Sequence, residues 1–236
     1  MQNNPHITVV IPAYNEEKNL PHALKSLSEQ TYTNFDVIVA DNNSTDSTHQ
    51  IIKHFKAERV LVTQKGYVYA LDAGMRLAKG EIIAVTDADT TVKRNWLEEI
   101  AKAFADPRIV GLTGSIVIQD KSLTSKILDL LYGGFLFIHF SIGKPHLIGF
   151  NFAVRKEAFL KAGGLDKNYT MSPDVDLGLR LKKFGKLVFA RKVKIVPSMR
   201  RWEDSVSKAF IEYAKGYFYA LWFRKPPPVT QTIIRD

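Results

Sequence analysis

The sequence contains no cysteine, and this absence removes two classes of protein at the outset. Without thiols the chain can form neither a disulfide scaffold nor a zinc site with thiolate ligands. A long hydrophobic run is also lacking. The longest apolar stretch, residues 127–142, contains Asp129 and His139 and is shorter than the roughly 20 residues that span a bilayer. We therefore expect it to form either a buried helix or a helix at a membrane interface.

No secretory leader is evident, because the N-terminus is polar and the apolar run at residues 7–11 is too short for the core of a signal peptide. An absence of cysteine is typical of a reducing compartment. The sequence therefore predicts a cytoplasmic protein, with peripheral contact at the cytoplasmic face of a membrane left open.

Several familiar catalytic motifs are missing as well. No Gly-x-Gly-x-x-Gly follows the first predicted strand, and no Walker-type Gly-Lys-Ser/Thr occurs, since Gly143-Lys144-Pro145 does not match it. The chain also has no His-Glu-x-x-His and no Gly-x-Ser-x-Gly. These absences disfavour dehydrogenases, P-loop kinases, metalloproteases and serine hydrolases.

What the sequence does contain is an ordinary globular composition with an excess of positive charge. Hydrophobic residues make up 45% and charged residues 24% of the chain, which excludes global disorder. The 33 lysines and arginines outnumber the 24 aspartates and glutamates, which gives a net charge of +9. Such a balance is compatible with nucleic acid, an anionic membrane surface or phosphorylated small molecules.

The first half of the chain alternates short β-branched runs with segments of helical periodicity. This pattern predicts an α/β fold with a doubly wound, mostly parallel sheet. Its expected strands cover residues 7–11, 37–40, 60–62 and 82–85, and its expected helices cover residues 20–27, 51–55, 67–78 and 96–104.

After residue 106 the alternation changes, although no flexible linker is visible. We expect strands at 109–118, 149–154, 187–189 and 193–196 and helices at 156–162, 175–184 and 205–224. The interpretation is a single domain over residues 1–225, with halves at 1–106 and 107–225, followed by a tail at 226–236.

Polar residues follow four of the predicted strands, at residues 12–16, 41–44, 64–66 and 87–89. Functional residues of an open α/β sheet collect at such carboxyl ends. Asp87 and Asp89 stand two residues apart, so both carboxylates can point the same way and converge on one cation. Mg²⁺ or Mn²⁺ with a bound diphosphate suits such a pair. The alternative is a solvated turn with two acids.

Two further acids near these strand ends each allow two interpretations. Asp41 could accept hydrogen bonds from a nucleoside, or it could form an Asx turn or helix cap with Ser44 and Thr45. Glu16 could contribute to a binding site, or it could be an acid at a helix N-terminus, where the macrodipole favours negative charge.

An ordered set of motifs over about residues 7–200 resembles the inverting, nucleotide-sugar-dependent glycosyltransferases of family 2, which have the GT-A fold. The set comprises Val9–Glu16, Asp41–Thr48, Asp72-Ala73-Gly74 with Ala78–Glu81, the Asp87-x-Asp89 motif, Gly149-Phe150-Asn151 and Asp174–Leu181.

The resemblance implies roles for individual residues. A nucleoside-diphosphate sugar carrying UDP or GDP would be bound by Pro12, Ala13, Tyr14, Glu16, Asp41, Lys65, Asp87, Ala88 and Asp89. Asp89, with Asp87, would hold the divalent metal, and Asp174 would be the catalytic base. The acceptor or the diphosphate would be contacted by Asn151, Asp176, Arg200 and Arg201. The acceptor itself would be a glycan or a lipid-linked sugar.

The chain departs from the family pattern at two points. Pro173 precedes Asp174 where the family has glutamate, and this leaves details of acceptor binding open. Asp176 is the reserve candidate for the base. Of the Gln-x-x-Arg-Trp motif of processive members only Arg201-Trp202 is present, which argues against polymer synthesis.

Other functions remain as alternatives: a sugar-phosphate nucleotidyltransferase, or a non-catalytic basic module at a membrane surface. Residues 107–236 hold 22 lysines and arginines against 10 acids, whereas residues 1–106 hold 11 against 14. The basic excess thus belongs to the acceptor half and favours an anionic acceptor or a membrane over nucleic acid. The expected helix at 205–224 combines aromatic and basic residues, as interfacial helices do, although it could instead close the core.

Overall fold

The structure is a computed structural model, and it describes residues 4–117, 123–145, 147–169, 171–198 and 215–226, without the side chains of 123–129 and 132. The strands are β1 (Ile7–Ala13), β2 (Phe35–Asp41), β3 (Glu58–Leu61), β4 (Ile82–Thr86), β5 (Thr91–Val92), β6 (Ile109–Ile116), β7 (Asn151–Arg155) and β8 (Lys186–Val196). The α-helices are α1 (Leu20–Ser28), α2 (Thr48–His54), α3 (Tyr67–Leu77), α4 (Trp96–Ala103), α5 (Leu123–Ser141), α6 (Lys156–Lys161) and α7 (Pro173–Leu181).

All eight strands form one sheet in the order β3-β2-β1-β4-β7-β6-β8-β5. Strands β3, β2, β1 and β4 pair in parallel, as do β6 and β8. Strand β7 runs antiparallel to both of its neighbours, and β5 runs antiparallel to β8. The predicted doubly wound, mostly parallel α/β sheet is confirmed, and the two reversed strands are the feature that the sequence pattern did not reveal.

Helices cover both faces of this sheet because its central strands are buried on both sides. One core cluster joins Ile7, Val9 and Ile11 of β1 to apolar residues of α1, α2 and α4. The other cluster joins Val10 of β1 to apolar residues of α3, α6 and α7. Alternate residues of one strand therefore serve opposite layers, as the two-residue period of a strand requires.

Two glycines of the recognised motifs allow close packing against β1. A Cβ atom at Gly74 in α3 would lie 2.7 Å from Val10 Cγ1, and one at Gly80 would lie 2.6 Å from the carbonyl oxygen of His6. Both distances are too short for a real Cβ. Helix α3 and the turn that follows it can therefore approach the sheet only with glycine at these positions.

The second half differs from the prediction in its details. The two short strands expected at 187–189 and 193–196 are one long strand, β8, whose pairing with β6 shifts register between Gly114 and Ser115. Strand β5 has only two residues and was not predicted. Of the helix expected at 205–224, only residues 215–224 lie within the described part, where a helical segment at 215–223 ends in a π-helix, Tyr219–Phe223.

The apolar stretch at 127–142 lies mainly in α5. Among the residues that the structure describes, no helix is both long enough and apolar enough to cross a membrane.

Candidate active site

The carboxyl ends of β1, β2 and β4 lie side by side, and the predicted nucleotide-binding residues follow them. The backbone N–H of Asn42, just after β2, donates to the carbonyl oxygen of Ala13 at 2.8 Å. Pro12 and Ala13 are buried in β1, while Tyr14 is half-buried at the edge. The topology therefore brings the first two predicted strand ends together.

Asp41 is fully buried at the end of β2, and both of its carboxylate oxygens have partners. Arg59 of β3 contacts Oδ2 through Nε at 2.7 Å and through Nη2 at 2.6 Å. The backbone N–H of Ser44 donates to Oδ1 at 2.9 Å. Of the local contacts expected for Asp41, the one with Ser44 is present, whereas the N–H of Thr45 donates to Asn15 Oδ1 instead. The contact of Asp41 with a nucleoside stays a prediction.

The loops after β1 and β2 brace each other through polar contacts. Asn15 has a left-handed backbone with φ of 51°, and its Oδ1 accepts from the N–H of Thr45 at 2.9 Å. The N–H of Glu16 donates to Thr48 Oγ1 at 2.9 Å. Glu16 lies ahead of α1 and accepts from Asn19 Nδ2 at 2.7 Å, so it is not an acid of the first helical turn. These contacts therefore fix the position of the loop that carries Tyr14 and Glu16.

Asn42 organises the loop that carries Lys65, a role that the sequence pattern did not reveal. Its Nδ2 donates to the carbonyl oxygens of Val62 and Gln64 at 2.9 and 2.8 Å, and its Oδ1 accepts from the N–H of Gly66 at 2.8 Å. Lys65 is exposed, with Nζ 5.9 Å from the centre of the Tyr14 ring. The loop after β3 therefore reaches the same edge as the loop after β1.

Asp87, Ala88 and Asp89 form a turn directly after β4, in which the N–H of Thr90 donates to the carbonyl oxygen of Asp87 at 3.2 Å. Ala88 is buried and both aspartates are partly exposed. No group of three or more His, Cys, Asp or Glu side chains that could hold a metal occurs in the described ranges. Two carboxylates alone would leave most of a hard cation's coordination to water and phosphate oxygens, which is the way Mg²⁺ usually binds. These residues therefore fit a metal that arrives with a diphosphate.

Asp174 occupies the first turn of α7, and it is only 6% exposed. Burial raises its pKa to about 7, and the nearby charge of Asp87 adds to this effect. Backbone N–H groups of Asp174 itself, Gly149 and Val175 act in the opposite direction by donating to the carboxylate. A carboxyl group with such a pKa can both take up and release a proton near neutral pH.

The turn before Asp174 has an unusual backbone. Ser172 is the N-cap residue of α7; its backbone is left-handed, with φ of 57°, and its side chain makes no capping hydrogen bond to the helix. Pro173 is the first residue of α7, a position at which the missing N–H of proline costs no helical hydrogen bond. The Ser172 hydroxyl is buried and has no hydrogen-bond partner among the residues that the structure describes.

Tyr67 and Gly149 connect the Asp-x-Asp turn to Asp174. The Tyr67 hydroxyl lies 3.5 Å from Asp87 Oδ1 and 3.3 Å from the carbonyl oxygen of Gly149. A Cβ atom at Gly149 would lie 3.2 Å from that hydroxyl and 3.5 Å from Asp174 Oδ2. Asp87 and Asp174, which are far apart in sequence, therefore belong to one site.

Two of the residues predicted for the acceptor side make other contacts. Asn151 is buried, and its side chain bonds Trp96 Nε1 at 3.0 Å and the carbonyl oxygens of Ser115 and Val193 at 2.8 and 3.1 Å. Asp176 faces Arg180, one turn along α7, with contacts of 2.8 and 2.7 Å. The contacts of Asn151 join β7 to α4, β6 and β8, and the contact of Asp176 lies within α7. Arg200 and Arg201 lie outside the described residues.

An α/β half with the predicted nucleotide-binding loops, an Asp-x-Asp turn after β4 and a buried carboxylate from the second half are the arrangement expected of the GT-A fold. The sequence model of the family described as Glycosyl transferase family 2 matches residues 8–163. The chain therefore belongs to glycosyl transferase family 2.

Similar proteins carry related names. The chain is 36% identical over 122 residues to Glycosyltransferase GlyG of Streptococcus pneumoniae. The aligned region covers 49% of the chain and 40% of that protein. It is 24% identical over 225 residues to the probable glycosyltransferase YdaM of Bacillus subtilis, covering 86% of the chain and 52% of YdaM. The chain thus spans about half or less of the length of these curated relatives.

Solved structures share the fold. The mannosyltransferase PcManGT from Pyrobaculum calidifontis, in complex with GDP-Man and Mn²⁺, superposes with a TM-score of 0.75 over 95% of this chain and 66% of its own, at 22% identity. Residues 1–349 of TarS from S. aureus, in complex with UDP-GlcNAc, give a TM-score of 0.63 over 81% of this chain and 58% of that one, at 17% identity. At these identities the likeness establishes the fold alone.

Proposed function

We propose that the protein is a metal-dependent inverting glycosyltransferase that moves a sugar from a UDP or GDP sugar to an acceptor hydroxyl, with Asp174 as the base. The observation that carries the proposal is the placement of buried Asp174 beside Asp87, at the edge where the predicted nucleotide-binding loops meet. Family membership and the GDP-Man and UDP-GlcNAc complexes of the structural neighbours support it.

The donor would lie across the ends of β1, β2 and β4. The nucleoside pocket would be lined by Pro12, Ala13, Tyr14 and Glu16. Asp41 would face the base, and Lys65 would form an ion pair with a phosphate. Asp89 and Asp87 would hold Mg²⁺ or Mn²⁺ against the diphosphate. When bound, such an ion offsets the charge that develops on the leaving diphosphate. The Mn²⁺ in the PcManGT complex is consistent with this assignment.

Asp174 would act on the opposite side of the sugar. Inversion requires the acceptor hydroxyl to attack the anomeric carbon from the face opposite the diphosphate, and the hydroxyl must lose its proton during the attack. A carboxylate with a pKa of about 7 accepts that proton more readily than an ordinary aspartate. The transition state should resemble an oxocarbenium ion, by analogy with glycoside hydrolysis.

A lipid-linked acceptor fits the basic second half of the chain. One similar protein, from Methanococcus voltae, is named as a transferase acting on dolichyl N-acetyl-α-D-glucosaminyl phosphate, and it is 24% identical over 258 residues, covering 92% of this chain and 76% of that protein. Such an acceptor carries both a phosphate and a lipid. An enzyme that uses it would meet its substrate at a membrane surface.

The experiment that tests the proposal is a thermal-shift screen of UDP, GDP and their sugars with and without Mn²⁺, followed by assay of the ligands that bind. Ligands that bind the native state raise its melting temperature. We expect a nucleoside-diphosphate sugar to stabilise the protein more strongly with the metal than without it and to release nucleoside diphosphate during turnover. Release of pyrophosphate from a sugar phosphate and a nucleoside triphosphate would instead identify a nucleotidyltransferase.

A further inference from the structure

Two neighbouring elements of the second half expose an unusual amount of apolar surface. The side chains concerned lie in or just after α5 and in the helical segment 215–223, and they are between 44% and 75% exposed. We call them the apolar surface, and they are Leu130, Leu131, Phe135, Phe137, Ile138, Ile142, Phe218, Trp222 and Phe223. Large exposed apolar patches on a protein usually mark an interaction site.

The two elements contact each other, so their apolar residues form one surface. The ring of Phe135 lies 6.0 Å from that of Tyr217, and the ring of His139 lies 5.8 Å from it. Lys144, which follows α5, places Nζ 3.0 Å from the centre of the Trp222 ring. Helix α5 and the segment 215–223 are therefore held together by aromatic and cation–π contacts.

Basic side chains lie beside this surface. Arg191 of β8 lies 5.9 Å from the Phe137 ring, and Lys182 donates to the carbonyl oxygen of Gly143 at 2.7 Å. Arg224 and Lys225 follow Phe223 directly, and neither 130–145 nor 215–226 contains an aspartate or glutamate. A protein partner with an apolar face would not require these basic side chains. An anionic bilayer satisfies both features at once, because its acyl region accepts the aromatics and its headgroups pair with the basic side chains.

We infer that the apolar surface binds the interfacial region of an anionic phospholipid bilayer. This inference rests on the proposed function, since it names where the lipid-linked acceptor would be met. The segment 215–223 also packs against the turn that carries the proposed base. A Cβ at Gly216 would lie 2.8 Å from Met171 Cβ and 3.3 Å from Ser172 Oγ, while Ala220 and Leu221 share a small core with Val175. Bilayer binding would therefore bring Asp174 close to the lipid headgroups.

Vesicle co-sedimentation at low salt tests the inference with defined lipids. We expect binding to vesicles of phosphatidylglycerol and phosphatidylcholine, and at least tenfold weaker binding to phosphatidylcholine alone. The double substitution Phe137→Glu/Ile138→Glu should abolish sedimentation. Lys182→Gln/Arg191→Gln should weaken it roughly 25-fold, because each basic residue near an anionic surface is worth about a fivefold change in partitioning.

Matched controls separate this surface from general effects of the substitutions. Leu77→Glu alters an apolar residue that is 54% exposed on α3, and Lys25→Gln/Lys53→Gln removes two exposed lysines from α1 and α2. Both controls should bind vesicles like the wild type. Equal losses in controls and test variants would overturn the inference, as would a wild type that fails to bind anionic vesicles.

Two further readouts keep the inference distinct from the proposed function and from other occupants of the surface. The melting-temperature shift by nucleoside-diphosphate sugar with Mn²⁺ should be unchanged in Phe137→Glu/Ile138→Glu, so donor binding can fail or succeed independently of membrane binding. Size-exclusion chromatography should show a monomer without lipid. A dimer that the same substitution dissociates would assign the apolar surface to a second copy and overturn the inference.

Discussion

The guanidinium of Arg59 holds the carboxylate of Asp41 through two nitrogens, both within 2.7 Å of Oδ2. Asp41 has no solvent exposure, whereas the Arg59 side chain is 29% exposed. The pair spans β2 and β3 at the edge where the nucleoside is proposed to bind. A buried carboxylate of this kind depends on its partner, because removing one member leaves an uncompensated charge in the protein interior.

Replacement of Arg59 should therefore destabilise the fold. Arg59→Ala is expected to lower the free energy of unfolding by about 3 kcal/mol at pH 7, as measured by urea denaturation. Arg59→Lys keeps the charge but loses the two-nitrogen contact, so its loss should be smaller. An Ala variant within about 0.5 kcal/mol of the wild type, a typical surface effect, would show that Asp41 does not rely on Arg59.

Loss of the proposed base should slow transfer strongly and spare donor binding. Asp174→Asn removes the proton acceptor with little change in shape, so kcat should fall by about 10²–10⁴-fold. The nucleoside-diphosphate sugar should still raise the melting temperature with Mn²⁺. Asp176→Asn is the matched variant, because that carboxylate pairs with Arg180 in the structure. Wild-type turnover in Asp174→Asn, with loss in Asp176→Asn, would transfer the role of base to Asp176.

The raised pKa of Asp174 predicts a dependence of stability on pH. The pKa is about 7 in the folded protein against 3.8 in the unfolded chain, so the folded protein binds this proton more tightly. The free energy of unfolding is therefore highest below pH 3.8 and falls as the pH rises towards 7. Asp174→Asn does not ionise and should escape this loss. With a chelator present, the variant should gain about 2–3 kcal/mol relative to the wild type between pH 5 and pH 8. A difference that does not change with pH would mean that Asp174 titrates normally.

The Asp-x-Asp turn should make donor binding depend on metal. In the wild type, Mn²⁺ should increase the melting-temperature shift caused by a nucleoside-diphosphate sugar, and EDTA should reverse the increase. Asp89→Ala should remove the part that depends on Mn²⁺ and leave the melting temperature of the ligand-free protein nearly unchanged, because Asp89 is partly exposed. Full metal dependence in Asp89→Ala would place the metal elsewhere.

The first half of the fold was predictable because its strands and helices are marked by local patterns. Continuous β-branched runs such as Ile7–Ile11 indicate strands that are covered on both faces, and Pro12 and Asp41 stand at or near the ends of their strands. The direction of β7 was not predictable. Its residues 151–155 are equally suitable for a parallel or an antiparallel neighbour, and only pairing with β4 and β6 decides between them.

The candidate site was predictable only in part, for a similar reason. Asp87, Asp89 and Asp174 belong to motifs that can be read along the chain. Tyr67 does not belong to such a motif, because it enters the site through a contact with Gly149, which is 82 positions away in the sequence. Asn151 belongs to a motif, yet its side chain bonds Trp96 in the core. A motif identifies the residue type that a position requires, but only the packed structure shows which way its side chain points.

The reversal of β7 has a consequence for how such an enzyme can diversify. Because β7 runs against β4, its first residue, Asn151, pairs with Thr86 at the end of β4, and Gly149 arrives beside Asp87 from the second half of the chain. Residues proposed for the donor thus precede position 90, and the proposed base follows position 149. Under the proposed function, mutations in the later segment would alter the acceptor range while the nucleotide preference is inherited unchanged, so the two specificities would be free to evolve separately.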